Sequence, residues 1–407
     1  MKLTPQGETL WSWSAPAVVG ITASAATPEG GVALVGAAYV TADLGNGVLC
    51  GPPSQQDDFS IFAVRLDASG QHVWSQCFDF QAVPRTVVVG PSGTVFFGGE
   101  FMGTIDLGTG PLTAPSDPQS AQGGDAFVAA LSATDGSPLW VRAAGASYRA
   151  TAQQLSVDAG GDLILSGWAP STSAWGAPTV LSEGSAYVAH LDHSTGESLA
   201  VSSFAEPPKE STGNYGYAHW NAPTPDGGVV LAGSTILPID LGGGPLGVSS
   251  TRTSAYVARY DAAGAHLWSR AFSASGGQLP EVEVWGVSVD PQGRVIVTGM
   301  FRGTIDFGAG PVISGGPTDV APLGWDYDMF LLELGPSADL LSIRTFASSS
   351  GIATPSGVAF DPLGYPVVTG DFNGSVDFGQ GSLGPTTFNE NSCPTCSDFA
   401  FVAKLAP

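Results

Sequence analysis

Short apolar runs, each bounded by Gly, Pro, Asp or Ser, return along this chain in one fixed order. The clearest copy runs from Trp285 to Phe346. Gly286-Val-Ser-Val-Asp290 gives a strand a, Pro291-Gln-Gly293 a turn, and Arg294-Val-Ile-Val-Thr298 a strand b ending at Gly299. The spacer Gly303-Thr-Ile-Asp-Phe-Gly308 and a long loop follow. Met329-Phe-Leu-Leu-Glu-Leu334 is then strand c, Gly335-Pro-Ser-Ala338 a turn, and Leu340-Leu-Ser-Ile-Arg-Thr-Phe346 strand d. β-Branched and apolar runs of this length between turn residues predict antiparallel hairpins.

The order is read six times. In each copy a glycine ends strand b and a second glycine follows nine residues later: Gly36/Gly45, Gly99/Gly108, Gly167/Gly176, Gly233/Gly242, Gly299/Gly308 and Gly370/Gly379. The first glycines are spaced by 63, 68, 66, 66 and 71 residues. That period exceeds a solenoid coil and suits a four-stranded propeller blade with long loops. The last copy stops at strand c, Phe401-Val-Ala-Lys-Leu405. The opening Lys2-Leu-Thr-Pro-Gln-Gly-Glu-Thr-Leu-Trp11 matches Arg65-Leu-Asp-Ala-Ser-Gly-Gln-His-Val-Trp74, the end of strand c, its turn and strand d. The expectation is an all-β, six-bladed β-propeller of four-stranded antiparallel blades, closed by the N-terminal strand completing the last blade. It is a single domain over 1–407, with blades at 16–78, 79–145, 146–204, 205–272, 273–346 and 347–407 plus 1–15.

Composition supports this and narrows the partners. The 407 residues include 56 Gly and 31 Pro and are 43% hydrophobic, which favours short strands and turns over helices. No run approaches the roughly 18 apolar residues of a membrane-spanning helix. Thirteen Lys and Arg face 36 Asp and Glu, for a net charge of −23. Nucleic-acid affinity rests on basic side chains neutralising phosphates, so DNA and RNA are not expected partners, nor is an anionic membrane surface.

The Asp125-Ala-Phe-Val-Ala-Ala-Leu131 strand, the Leu-Trp after a Gly turn, and Val287-Ser-Val-Asp-Pro-Gln-Gly-Arg-Val-Ile-Val-Thr-Gly299 resemble the bacterial β-propeller repeat known as SBBP. The resemblance covers essentially the whole chain and is weaker in repeats three and four. The family name denotes seven blades; six are counted here. The family is associated with exported and surface proteins of bacteria, so the resemblance implies an extracellular or cell-surface protein whose leader is absent from this chain. It implies no single catalytic activity.

The a–b and c–d turns are short, whereas the b–c and d–a connections are long. In an up-and-down blade the two long connections share one face, where binding usually lives. Those loops carry Tyr39, Trp168, Trp175, Tyr215, Tyr217, His219, Trp220, Trp285, Trp325 and Tyr327, with Glu206, Glu210, Glu281, Glu283, Asp326 and Asp328. Trp and Tyr offer flat apolar faces with a polar edge, suited to sugar rings or a protein partner; the competing reading is packing within the loops. From repeat register, the ligand-binding candidates at the channel mouth are Arg85, Glu100, Gln153, Trp168, Trp220, Asn221, Trp285 and Asp371. A one-residue slip would turn each side chain over.

Other recurrences have structural readings. Asp43, Asp106, Asp240, Asp306 and Asp377 stand seven residues after the first glycine, with Ala174 in repeat three. A ring of such oxygens could hold Ca²⁺, but Asp before a Gly turn more often accepts backbone N–H groups. Asp326 and Asp328 are the better isolated metal candidates. Trp11, Trp74, Trp140 and Trp268 recur on strand d and read as inter-blade packing. Glu281 and Glu283 could serve as a glycosidase carboxylate pair; acids two apart on a loop are more often solvated. His219 is the only histidine on the long-loop side. Cys50 and Cys77 fall on the long-loop side of one blade and predict a disulfide, and Cys393 and Cys396 a local staple.

These observations lead to an exported, non-enzymatic propeller that recognises a glycan or a protein through its long-loop face, without a required cofactor. The first alternative is a propeller hydrolase or lyase at the acidic, aromatic mouth, with Ca²⁺ as its one candidate metal. The second is a structural module of a larger surface protein.

Overall fold

In a computed structural model of the chain, the described residues are 1–14, 19–45, 47, 49–51, 59–79, 82–113, 124–144, 150–169, 175, 185–205, 219–236, 238–246, 253–276, 280–315, 327–347, 353–372, 375–384 and 399–406. Every regular element among them, apart from a single helical-turn residue at Trp175, is a strand or a bridge. The fold is a six-bladed β-propeller. The chain divides into two compact units, Met1–Pro208 and Lys209–Pro407.

The first unit holds blades 1 to 3. Blade 1 runs Val19–Ala26, Val32–Ala38, Ser60–Leu66 and His72–Phe78 as strands a to d. Blade 2 runs Ala82–Val89, Val95–Phe101, Asp125–Leu131 and Pro138–Ala144, and blade 3 Thr151–Val157, Leu163–Ala169, Ser185–Leu191 and Ser198–Ala205. Each is a four-stranded antiparallel meander in sequence order. The second unit holds blade 4 (His219–Pro223, Val229–Thr235, Ser254–Tyr260, His266–Ser273) and blade 5 (Glu281–Val289, Val295–Arg302, Asp328–Leu334, Leu340–Phe346). Blade 6 has Ala353–Phe360, Pro366–Phe372 and Phe399–Lys404.

The core lies between blades. Strands b and c are buried along their length in blades 2, 4 and 5. One apolar layer joins blades 1 and 2 through Val35, Phe78, Phe97 and Phe127, and another joins blades 2 and 3 through Phe96, Trp140, Leu165 and Tyr187. In the second unit, Val257, Val297, Phe307 and Phe330 join blades 4 and 5, and Leu331, Phe372 and Phe401 join blades 5 and 6. A sheet buries both faces only when another sheet covers each, so these layers supply the hydrophobic stabilisation of the array.

The strand-d tryptophans fasten the same seams. The indole of Trp74 donates to the Ala133 carbonyl in the next blade's c–d turn at 3.1 Å, Trp140 to His193 at 3.1 Å, and Trp268 to Pro336 at 2.9 Å. This is the packing role expected from their recurrence. Each of the Trp74 and Trp140 rings lies over the turn glycine of the following blade, Gly136 and Gly196, where a Cβ would meet it at 2.6 Å.

The chain ends differ from expectation. Among the described residues the sixth sheet has three strands, and Thr9–Trp11 pairs with Lys2–Leu3 in a hairpin of its own. That hairpin is complete because the N-terminal segment brings the end of a strand c and its turn along with strand d, with Thr4 accepting from the Glu8 amide at 3.1 Å. It docks on blade 1 as a preceding strand d would: Trp11 donates to Ala68 at 2.9 Å and Lys2 to Gly30 at 2.7 Å.

The spacer is a second finding. In five blades it folds as a small hairpin inside the b–c connection, for example Thr104–Ile105 with Leu112–Thr113 and Thr304–Asp306 with Pro311–Ile313. Its aspartate closes the turn. Asp43, Asp106, Asp240, Asp306 and Asp377 each accept the amide two residues on at 2.7–2.8 Å and the amide four residues on at 3.0–3.2 Å. The backbone reading of these residues holds. The residue after each aspartate plugs its blade, and Trp175 takes that place in blade 3, 7% exposed.

Candidate functional site

The long-loop end of each blade is where strand a begins and strand b ends, and there the ladder is broken in a repeated way. In blade 2, Gly98 pairs with Thr86 and Gly99 with Pro84, so Arg85 is an extra residue. The same bulge extrudes Thr22, Gln153, Trp285 and Ser356 from strand a of blades 1, 3, 5 and 6. A bulge leaves its residue unpaired and re-aims its side chain.

This break explains the first glycine of the repeat. The bulge presses a strand-a carbonyl onto it: a Cβ on Gly99 would lie 2.0 Å from the Val83 oxygen. The glycine also lets an aromatic residue of strand c lie across strand b, Phe127 opposite Gly99 and Tyr187 opposite Gly167. Tyr187 donates its hydroxyl to the Thr151 carbonyl at 2.7 Å.

Blade 4 is the exception. His219 pairs with Gly233 and Trp220 with Ala232, without a bulge. His219 is fully buried against the Tyr256 hydroxyl, and burial depresses its pKa to about 3. It is therefore neutral across the physiological range and shielded from any ligand. Trp220 is spent on the next blade, donating to the Val284 carbonyl at 3.2 Å, and Asn221 is 2% exposed within the sheet. Without the bulge, His219 takes the ladder place opposite the glycine, while Trp220 and Asn221 keep the register of Thr86 and Val87 in blade 2.

In the first unit, Arg85 and Glu100 come together at the long-loop end of blade 2. Arg85 Nε donates to Glu100 Oε1 at 2.5 Å, with the glutamate 8% exposed. Gln153 and Trp168, in blade 3, are half-buried. The backbone amide of Trp168 donates to Thr151 Oγ1 at 3.0 Å.

In the second unit, blade 5 assembles the densest group. Glu281 and Glu283 lie on one side of strand a, with Val282 and Val284 facing the core. The Tyr327 hydroxyl donates to Glu281 Oε2 at 2.6 Å, and Arg302 lies 3.8 Å from the same oxygen. The Arg302 guanidinium also sits 4.9 Å from the centre of the Tyr327 ring. These three side chains tie the residue before strand c to strands a and b. Glu283 stands beside them, its pKa raised by burial and then by the Glu281 charge, while the Trp285 indole opposes the shift. The Trp285 Nε1 is covered and makes no hydrogen bond of ordinary geometry. The Glu281/Glu283 pair is thus partly enclosed, not solvated as its spacing alone suggests. Asp371, near the end of strand b in blade 6, is half-buried and its pKa is raised by burial.

Cys50 and Cys77 form the expected disulfide, with Cα atoms 5.3 Å apart. Asp328 is 4% exposed and accepts the Gly315 amide at 2.8 Å, so it serves loop structure. Among the described residues no group of three or more His, Cys, Asp or Glu gathers as a metal site. Asp326, Cys393, Cys396, Trp325, Tyr215, Tyr217, Glu206 and Glu210 lie outside the described residues. Sequence reasoning overlooked Arg302, although the cross-strand pairing of Glu281 with Arg302 marks it once the register is known. It also overlooked Thr22 and Ser356, whose only signal is one residue too many in strand a opposite a glycine.

No known family model matches the chain, and no curated protein is significantly similar to it. Solved structures similar to it include an unknown-function protein from Dyadobacter fermentans, with 13% identity over 87% of this chain and 91% of that one and a TM-score of 0.44. A protein of unknown function from Bacteroides caccae matches at 11% identity over 84% and 86% of the two chains, with a TM-score of 0.38. The virginiamycin B lyase of Staphylococcus aureus matches at 11% identity over 86% and 91%, with a TM-score of 0.36. Similarities this weak carry no argument about the activity of this chain.

Proposed function

We propose that this protein is an exported, non-enzymatic binding propeller that recognises carbohydrate from the long-loop side of its blades. The observation that carries the reading is the blade 5 group. There a half-buried indole, Trp285, stands with a tyrosine, an arginine and two carboxylates whose positions are set by mutual contacts. A sugar presents C–H faces to aromatic rings and hydroxyls to fixed donors and acceptors, and this mixture offers both. The net charge of −23 favours neutral or amino sugars over acidic ones. The Cys50–Cys77 bridge suits an oxidising, extracellular setting, and the repeats read as SBBP-type on the Val287–Gly299 motif.

A printed glycan array tests the reading, with Trp168→Ala and Trp285→Ala as variants. Binding by the native chain and its loss in at least one folded variant support it. Unchanged affinity in both rejects this placement of the site. Capture of a protein ligand with silence across the array replaces carbohydrate by a protein partner, and silence in both favours a structural module.

One observation favours a second reading. Glu283 holds its proton more tightly than an ordinary glutamate beside the Glu281 carboxylate, the asymmetry that an acid–base pair in a hydrolase or lyase needs. Release of reducing or unsaturated ends from a polysaccharide panel, abolished by Glu283→Gln, would replace binding by catalysis.

A further inference from the structure

We propose that the residue extruded at each strand-a bulge is the ligand-reading position of its blade. The inference rests on the carbohydrate reading and goes further, because it says which side chains set selectivity and which do not.

The chemistry of the repeat is divided sharply at this point. Immediately before the bulge stand Ile21, Pro84, Ala152, Val284 and Pro355, all apolar. Opposite it stand the glycine and strand-c aromatic that hold the backbone in every blade. At the bulge itself stand Thr22, Arg85, Gln153, Trp285 and Ser356, five different side chains of which four are polar. The residue before the bulge stays apolar while the bulge residue differs in all five blades, and the bulge residue is outside the ladder. A substitution there changes no strand pairing and turns no neighbour over, so it can vary at little cost to the fold.

Each of these residues is accessible. Thr22 and Ser356 are exposed, and Arg85, Gln153 and Trp285 are half-buried. In the first unit, strand a of blade 2 packs between strands a of blades 1 and 3, so Thr22, Arg85 and Gln153 belong to consecutive neighbours. They offer a hydroxyl that already donates to the Val35 carbonyl at 3.3 Å and keeps its acceptor side, a guanidinium already oriented by Glu100, and an amide. That set of donors and acceptors matches the vicinal hydroxyls of a neutral oligosaccharide. In the second unit, Trp285 adds a stacking face and Ser356 a hydroxyl on the adjacent strand a. Blade 4 lacks the bulge, and its Trp220 and Asn221 are committed to packing; neither reads ligand.

The test uses the full chain on an array of neutral, amino and acidic oligosaccharides, with titration calorimetry on the strongest neutral hit. The variants are Gln153→Ala and Trp285→Ala, with Leu139→Ala on an exposed outer strand as control. Thermal unfolding verifies that all are folded. The expected result is a tenfold or greater loss of affinity and a reordered array profile for each bulge variant, with the profile of Leu139→Ala unchanged. If the native chain binds and both folded bulge variants keep its affinity and profile, the bulge assignment is wrong while the carbohydrate reading stands. If the native chain is silent across the array, the carbohydrate reading falls and takes this assignment with it.

Discussion

The carbonyl oxygen of Glu283 occupies the space where a side chain on Gly299 would begin, 1.9 Å from an ideal Cβ. The neighbour is backbone, held in the ladder with strand b, and cannot rotate away. Gly299→Ala must therefore open the bulge or displace Phe330, whose ring would also lie 2.7 Å from the new atom. We expect a loss of about 3 kcal/mol, at the upper end of ordinary overpacking. Chemical denaturation of the native chain and variant measures it, and an unchanged midpoint would refute the bulge geometry.

Ala338 sits in the left-handed region, at φ +68°, in the c–d turn where blades 1 to 4 carry Gly70, Gly136, Gly196 and Gly264. Its amide closes the turn on Gly335 at 3.0 Å. A Cβ in that conformation costs about 1–2 kcal/mol, partly offset by the greater freedom of glycine in the unfolded chain. Ala338→Gly should stabilise the protein by roughly 0.5–1 kcal/mol, read as a higher denaturation midpoint.

The raised pKa of Glu283 has a definite sign in the pH dependence of stability. The folded state holds this proton more tightly than the unfolded chain, so the contribution is fully present below the ordinary glutamate value of 4.5 and is lost as pH rises through the higher folded value. Glu283→Gln should be more stable than the native chain at pH 7, with the advantage fading below pH 4.5. Asp192, held near 2 by hydroxyls and amides of its own turn, acts in the opposite sense: its contribution is present above 3.8 and lost as pH falls through about 2. Thermal scans across the acid range separate the two.

The Cys50–Cys77 bridge closes a span of 27 residues that contains strand c of blade 1 and most of strand d. The chain-entropy relation gives about 3.5 kcal/mol for a loop of that length. Reduction, or Cys50→Ser with Cys77→Ser, should lower stability by up to that amount. Differential scanning with and without reductant checks it.

What was legible in the sequence is what repeats. The glycine pairs, the spacer aspartates and the strand-d tryptophans each recur with one physical job, and recurrence exposes the job. Gly99 is required by a carbonyl, Asp106 by two amides, Trp74 by a turn in the next blade. Arg85, Gln153 and Trp285 stand at strand-a bulges, fourteen residues before the first glycine of their repeats, a spacing that the sequence carries. The rest depended on departures from the repeat, which one sequence does not announce. Trp220 and Asn221 fall inside the sheet, at the places of Thr86 and Val87 in blade 2, and His219 is the residue that stands at the bulge position. Arg302 belongs to the blade 5 group through a pairing visible only in three dimensions. The separate N-terminal hairpin arises because residues 2–11 carry their own turn as well as a strand.

The forward direction of the indole bonds bears on how such chains change length. Trp74 and Trp140 each belong to one repeat, and their acceptors, Ala133 and His193, to the repeat that follows. A tandem copy inserted between two such repeats arrives already equipped with a donor for its successor and an acceptor for its predecessor. Unequal recombination can therefore add or delete whole sheets without inventing a new joint.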